Sequence, residues 1–323
     1  MMRIKTLMGA LLAASALTGT AAAASACRVG VSMYTLSAPY FAAQMQAAVA
    51  QAKKDGCTVR TANAQNDMVK QIGDIQDMVS AGVNVLIVNP RDPKGLIPAV
   101  DAATKAGVKV VGMDSLFAPG ADIITNVSAD NGANGELVGA WLAKRTQGKP
   151  IKIALISGDQ GNIVGRERRL GVITGLMNEL LKDYGHANVD IVGQGWGHWT
   201  TDGGMTAMQD LLTAHPDINV VLGENDSMVL GARKALEAAG RLKGVLLVAA
   251  ADGQKQALAL IKKGEYGATG LNNPSVLAKM AVNIGVESLR GTLKRKLGYH
   301  TFTPAVAITK ANVSKYYNPK SVF

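Results

Sequence analysis

Aromatic residues make up only 4% of this 323-residue chain, and it has two cysteines and four histidines. Each scarcity removes a class of function. Two cysteines cannot build a disulfide-dense scaffold or a thiolate zinc cage. The histidines at 186, 198, 215 and 300 are scattered and form no H-E-x-x-H. G-x-x-x-x-G-K-[ST] and G-x-S-x-G are missing, and G-Q-G-W-G-H at 193–198 fails the dinucleotide-binding fingerprint. Beyond the N-terminal stretch, no apolar run is long enough to span a bilayer.

What is present is aliphatic. Hydrophobic residues are 48% of the chain, so it can bury large cores, and its length suits about two domains. With so few aromatics, those cores must use aliphatic side chains and close helix packing through Ala and Gly. A cluster of aromatics therefore carries more weight than usual.

Residues 1–26 read as a secretory signal. Arg3 and Lys5 precede an apolar stretch from Leu7 to Leu17, and small residues lead to the A-x-A pattern Ala24-Ser25-Ala26. An uncleaved anchor would be richer in Leu and Val. Lipidation of Cys27 is the competing reading. Against it, strand-like sequence begins at once at Arg28, and Ala24 stands where lipoprotein signals usually carry Leu. Export places the chain in the periplasm. The formal charge of +10 is spread over helix faces, with Lys294-Arg295-Lys296 and Arg166 to Arg169 the only clusters, which reads as a solvated surface and not a nucleic-acid site.

From Arg28 onward apolar strands alternate with amphipathic helices. The expected strands are 28–33, 57–62, 84–88, 108–113 and a short one near 123–127. The expected helices are 39–54, 68–80, 94–106 and 133–146. After Gly148-Lys149-Pro150 a second series begins, with strands near 151–156, 188–192, 219–223, 245–250 and 267–270. A helix from Pro274 to Arg290 and a strand-like Thr303 to Ile308 close the chain. Such alternation gives parallel sheets by right-handed crossover. The fold class is α/β, two doubly wound lobes with a ligand cleft between them. The lobes are expected at 27–129 plus 273–302 and at 130–272 plus 303–323. Cys27 and Cys57 each open a strand. In a sheet of order 2-1-3-4-5 those strands are neighbours, so a disulfide is expected, the alternative being two buried thiols.

The ends of the strands carry the chemistry. V-L-L-V-A-A-A-D-G at 245–253 runs apolar residues into Asp252, and V-K-V-V-G-M-D-S at 108–115 does the same with Asp114. Open α/β sheets bind ligands beyond the carboxyl ends of their strands, so the two carboxylates are expected to face one cleft. Tyr40 and Phe41 begin a helix after strand one, and Asn89-Pro90 follows strand three. Arg166 and Arg168 lie early in a helix after a glycine-rich turn, and Trp196, Trp199, Asn225 and Asn272 follow later strands. Planar amides, carboxylates and guanidinium groups satisfy paired hydroxyls, and aromatic rings cover the C–H faces of a sugar. Each residue has a plainer reading. Either Asp could be a helix N-cap, Tyr40 and Phe41 could be core, Asn225 could cap the helix at Asp226, and Arg166 could pair with Glu167 or Asp159. His198 reads as a rim residue.

Taken in order, T-L-S-A-P-Y-F (35–41), N-P (89–90), M-D (113–114), S-A-D-N (128–131), R-E-R (166–168), M-Q-D-L-L-T-A-H-P (208–216), N-D-S-M-V-L-G-A (225–232) and A-D-G (251–253) resemble the periplasmic sugar-binding proteins of ABC importers. The likeness is to the ribose-binding type of the type I fold, over nearly the whole mature length. It implies that Tyr40, Phe41 and Trp199 stack on a sugar ring. Asp114, Arg168, Asn225 and Asp252 would bind hydroxyls, with Asn89 and Asn272 in support. The family typically carries Asn at Ala38, Arg at Ser115 and Gln at Asn272. Ribose itself is therefore not the expected ligand, and Tyr34 and Trp199 are expected to refill the space. Another pentose, a hexose or a polyol fits the departures. The implied protein is a non-catalytic, cofactor-free and metal-free monomer. It would close around a monosaccharide or polyol and present it to a permease driven by a partner ATPase. A chemoreceptor as an alternative partner, and a glycosidase using Asp114 and Asp252, are the rival readings. A transcriptional regulator of the same fold would begin with a helix-turn-helix.

Overall fold

The computed structural model describes residues 26–323, so the expected signal segment lies almost wholly outside the described residues. The first series comprises β1 (Arg28–Met33), α1 (Pro39–Lys54), β2 (Thr58–Asn63), α2 (Met68–Ser80), β3 (Val85–Asn89), α3 (Ile97–Lys105), β4 (Lys109–Met113) and β5 (Asn126–Ala129). The second comprises α4 (Asn131–Thr146), β6 (Ile151–Ser157), α5 (Ile163–Tyr184), β7 (Val189–Trp196), α6 (Thr201–Ala214), β8 (Val220–Gly223), α7 (Asp226–Ala238), β9 (Leu246–Asp252), α8 (Lys255–Lys263) and β10 (Ala268–Leu271). The chain ends with α9 (Pro274–Leu289), β11 (His300–Thr303), β12 (Ala307–Thr309) and a single 3-10 turn at Val313–Lys315.

Two six-stranded sheets result. The first runs β2-β1-β3-β4-β5-β11, parallel throughout. The second runs β7-β6-β8-β9-β10-β12 and is parallel except for β12. Each is the expected 2-1-3-4-5 order with one strand added at the edge. The central strands are buried on both faces, which is why they read as unbroken apolar runs. The chain passes from one sheet to the other after β5, after β10 and between β11 and β12.

Two expectations shift. The short strand expected near 123–127 lies at Asn126–Ala129, because Asn126 and Val127 are the residues in register with β4. The tail expected as one strand from Thr303 to Ile308 is two, β11 and β12, in different sheets. Pro304 has no N–H to donate to a ladder, and the chain changes sheets there.

Helix packing explains the Gly content. A Cβ on Gly139 of α4 would overlap the Val172 carbonyl of α5, and one on Gly231 of α7 would overlap the Thr201 carbonyl of α6. These pairs meet backbone to backbone. The close approach seats α5, which carries Arg168, and α7, whose first turn follows Asn225. Cys27 and Cys57 form a disulfide, as their places at the starts of the neighbouring strands β1 and β2 require, and the Thr58 N–H donates to the Cys27 carbonyl. Neither thiol is then free.

Candidate functional site

Strand ends of both sheets converge on one cavity. It is lined by Tyr34, Ala38, Tyr40, Phe41, Asp114 and Ser115 from the first sheet's side, and by Asn162, Val164, Arg168, Trp199, Asn225 and Asp252 from the second. Its volume in this arrangement is about 20 Å³, room for about one water molecule. A sugar enters only if the two sides part or side chains move. Tyr34, Phe41 and Trp199 stand between it and a wider mouth of about 560 Å³, to which Asn63, Gln65, Asn66, Asp159 and His198 contribute. His198 is at the rim, as expected, with Nδ1 2.8 Å from Asp159.

The two strand-end carboxylates are not helix caps. Asp114 follows β4 with φ of 70°, a left-handed conformation in which a residue with a Cβ is uncommon, and its N–H donates to the Val127 carbonyl at 2.8 Å. That turn aims the carboxylate inward. Tyr40 Oη lies 2.9 Å from one of its oxygens, and Asn89 Nδ2 donates to the other at 3.2 Å. Asp252 ends β9. Arg168 Nη2 lies 2.8 Å from its Oδ1, and Asn272 Nδ2 donates to the same oxygen at 3.0 Å.

Tyr40 and Asn272 join the two carboxylates across the cleft. Tyr40 Oη is also 3.0 Å from Asn272 Oδ1, but a phenol has one proton and can serve only one of these acceptors. Both contacts are satisfied together when Asp114 carries a proton and donates it to Tyr40. The electrostatics agree. Burial pushes the Asp114 carboxyl above the ordinary range, although Arg168, Tyr40 and Asn89 oppose it. Burial also raises Asp252, to about 6, against the pull of Arg168 and with the repulsion of Asp226 and Asp114 adding to the rise. For Arg168 burial works against the charge, but Asp252 and Asp114 outweigh it and keep the guanidinium protonated. Desolvation lifts the Tyr40 and Tyr34 phenols well above their usual range, so both remain hydrogen-bond donors.

Arg168 is 3% exposed, and each part of its fork is held. Nε donates to Asn131 at 2.9 Å, Nη1 donates to the Glu224 carbonyl at 3.0 Å, and Nη2 meets Asp252. A planar guanidinium so fixed is a preformed donor plate. Trp199 lies beside it, the Arg168 Cζ being 5.8 Å from the ring centroid. The Asn225 Oδ1 caps α7 by accepting from the Met228 N–H at 3.0 Å, and its Nδ2 donates to the Trp199 carbonyl at 3.1 Å. The capping reading of Asn225 is thus correct, and the same amide positions an aromatic wall. Tyr40 and Phe41 are buried in the core and also line the cavity.

Of the residues singled out from sequence, Tyr34, Tyr40, Phe41, Asp114, Ser115, Arg168, Trp199, Asn225 and Asp252 line the cavity. Asn89 and Asn272 do not; they lie one layer behind, where they orient the carboxylates. Trp196 is 37% exposed and is not part of the lining, and neither is Arg166. Sequence reasoning missed Asn162 and Val164 of the lining and several supports. Asn131 holds Arg168. Glu224 takes the Gly158 N–H and pairs with Arg169. Asp226 accepts the backbone N–H groups of Asp252, Gly253 and Gln254 at 3.1, 2.8 and 2.8 Å, pinning the turn that aims Asp252. Phe323, the last residue, packs edge-on against Tyr40, with centroids 5.4 Å apart. Asn131, Glu224 and Asp226 did carry a signal, being polar groups beside apolar strand ends. Phe323 carried none. Among the described residues no cluster of three or more His, Cys, Asp or Glu could hold a metal ion.

Comparisons with known proteins agree with this architecture. Residues 29–293 match the model of the periplasmic binding protein domain. The chain is 33% identical to the ribose import binding protein RbsB of Bacillus subtilis over 83% of each chain. A solute-binding protein of an ABC transporter from Mycobacterium smegmatis, solved with bound glycerol, superposes with a TM-score of 0.82 at 35% identity, over 92% of this chain and 99% of that one. The myo-inositol binding protein of Caulobacter, solved with myo-inositol, gives 0.79 at 32% identity, over 89% and 95%. With the matched domain running from β1 past the end of α9, the chain belongs to the periplasmic binding protein family.

Proposed function

We propose that the chain is the extracytoplasmic solute receptor of an ABC importer. It binds a sugar or sugar alcohol between two lobes, closes around it and hands it to a membrane permease powered by a separate ATPase. The lobes are residues 27–129 plus 273–302 and residues 130–272 plus 303–323, after cleavage of the signal near Ala26 in the periplasm. The observation that carries the reading is the bridge Asp114–Tyr40–Asn272–Asp252. Groups from both lobes meet only when the lobes are together, so a ligand touching both stabilises the closed state over the open one.

The inventory supports a neutral or donor-rich polyhydroxylated ligand. Asp114, Asp252 and Arg168 offer fixed acceptors and donors, and Tyr34, Tyr40, Phe41 and Trp199 offer apolar faces. Relatives named for ribose and solved with glycerol or myo-inositol point the same way. Ser115 and Asn272 make ribose itself a poor fit. The family's members are receptors, so the reading is of a receptor without catalysis that acts as a monomer.

Thermal unfolding of residues 27–323 against pentoses, hexoses and sugar alcohols tests the reading. A ligand at 100 times its dissociation constant adds about 2.7 kcal/mol, a shift of several degrees. The expected result is a shift with one class that vanishes in Asp252→Ala. No shift across the panel would remove the sugar reading.

A further inference from the structure

Acidic groups outnumber basic ones around the cavity. Three carboxylates, Asp114, Asp226 and Asp252, are at most 7% exposed, and one buried guanidinium, Arg168, faces them. Arg169 is no counterweight, because it is paired with Glu224. Asp226 is stabilised by three backbone N–H groups and the Tyr266 hydroxyl, and Asp252 by Arg168. Asp114 is different. Its hydrogen-bond partners are the neutral groups Tyr40 and Asn89, and among the described residues no lysine or arginine lies within ion-pair distance of it. A buried charge without a partner is costly, so unliganded Asp114 holds a proton against Tyr40, and it is on the cavity wall, where a cationic ligand can take that proton's place.

The opposite walls of the same space are aromatic. Tyr34, Tyr40, Phe41 and Trp199 line it in a chain with 4% aromatic residues, and the buried Trp199 Nε1, which has no hydrogen-bond partner among the described residues, is a donor left for a ligand hydroxyl oxygen. A carboxylate set among π faces is the chemistry that holds an ammonium group, through Coulomb attraction on one side and the ring quadrupole on the other. A hydroxyl-only ligand meets Asp114 as the protonated acid, whereas an ammonium group takes the place of that proton and pairs with the carboxylate.

We infer that the preferred ligand is an amino-substituted sugar or cyclitol, whose protonated amine sits against Asp114 while its hydroxyls engage Arg168 and Asp252. The inference rests on the receptor reading above and narrows its substrate class. The test is calorimetric titration at pH 7.5 with matched pairs differing by one group: D-glucose and D-glucosamine, D-galactose and D-galactosamine, myo-inositol and an inosamine. The expected result is that the amine of at least one pair binds at least tenfold more tightly than its hydroxyl parent. In Asp114→Asn that ratio falls to near one. Ser115→Arg, which places a cation in the cavity, does the same, and it serves as the independent variant if Asp114→Asn does not fold. Parents that bind as well as or better than their amines would overturn the inference and leave the sugar receptor standing. Binding by neither member of any pair would overturn both.

Discussion

The two sheets share a topology, and their fourth strands, β4 and β9, end in equivalent carboxylates that are held in different ways. Asp252 has a guanidinium partner at 2.8 Å, and its turn is pinned from behind by Asp226. Asp114 is aimed by a left-handed backbone and is held only by neutral donors. The second lobe therefore carries a preassembled half of the site, an ion pair with its hydrogen bonds made. The first contributes a carboxylate that takes its charge state from what lies opposite. Closure completes the first half more than the second.

Removing Arg168 should break this asymmetry most severely. Arg168→Ala leaves Asp252 buried and unpaired, facing Asp114 and Asp226, and loss of one partner of a buried pair costs about 3–5 kcal/mol. Asn131 and the Glu224 carbonyl lose their donor as well. The expected outcome is a drop of several degrees in thermal unfolding and loss of polyol binding by more than about a hundredfold.

The disulfide sharpens the comparison from the other side, since both cysteines belong to the first sheet. Closing a loop of sequence separation 30 contributes about 3–4 kcal/mol on the chain-entropy estimate. The three tryptophans, Trp141, Trp196 and Trp199, all lie in the second lobe. After reduction, or in the Cys27→Ser/Cys57→Ser double variant, the circular-dichroism and tryptophan-fluorescence transitions should separate, with the fluorescence transition the higher. Coincident transitions in the reduced protein would mean that the lobes unfold as one unit.

Protonation distinguishes the two halves next. With its folded pKa raised to about 6, Asp252 binds its proton more tightly in the native state than in the unfolded chain. Its contribution to stability is full below about pH 4 and is lost as pH rises through about 6, an effect of roughly 3 kcal/mol. Asp114 and Asp226 are raised by burial in the same sense and steepen the slope. The denaturant midpoint of the unliganded protein should therefore be higher at pH 4.5 than at pH 7 as far as these groups govern it. Asp252→Asn should flatten the profile by removing one of them.

Most of this geometry was legible because strand ends in a doubly wound sheet have nowhere else to point. Once Val245 to Asp252 reads as a buried parallel strand, the cleft position of Asp252 follows, and the same argument places Asp114. The 2-1-3-4-5 order placed Cys27 beside Cys57. What could not be read depended on contacts between distant segments. Asn131 matters because α4 and α5 touch through glycines, and Phe323 because the chain's end returns to Tyr40. The start of β5 depended on its pairing with β4, since Ile123 and Ile124 are as apolar as the strand itself. Sequence pattern alone also cannot tell a lining residue from one a layer behind it; only the contacts of Asn89 and Asn272 with the two carboxylates set them apart from the cavity wall.

The smallest effect tests the next pair, Asn89 at the end of the third strand β3 and Asn225 just beyond its counterpart β8. In the first lobe Asn89 donates to Asp114 and to Gln44, so its amide acts on a carboxylate. In the second, Asn225 caps a helix and holds the Trp199 backbone, so its amide acts on an aromatic wall. Replacing an N-cap Asn by Ala costs about 1 kcal/mol, and Asn225→Ala should show that loss in stability with a change in Trp199 emission. Asn89→Ala removes a hydrogen bond to the charged form of Asp114, which raises that carboxyl further and weakens ligand binding more than it weakens the fold. The two variants should therefore part in opposite directions, one chiefly in unfolding midpoint and one chiefly in affinity. Equal effects on both readouts would mean that the two lobes hold the ligand in the same way.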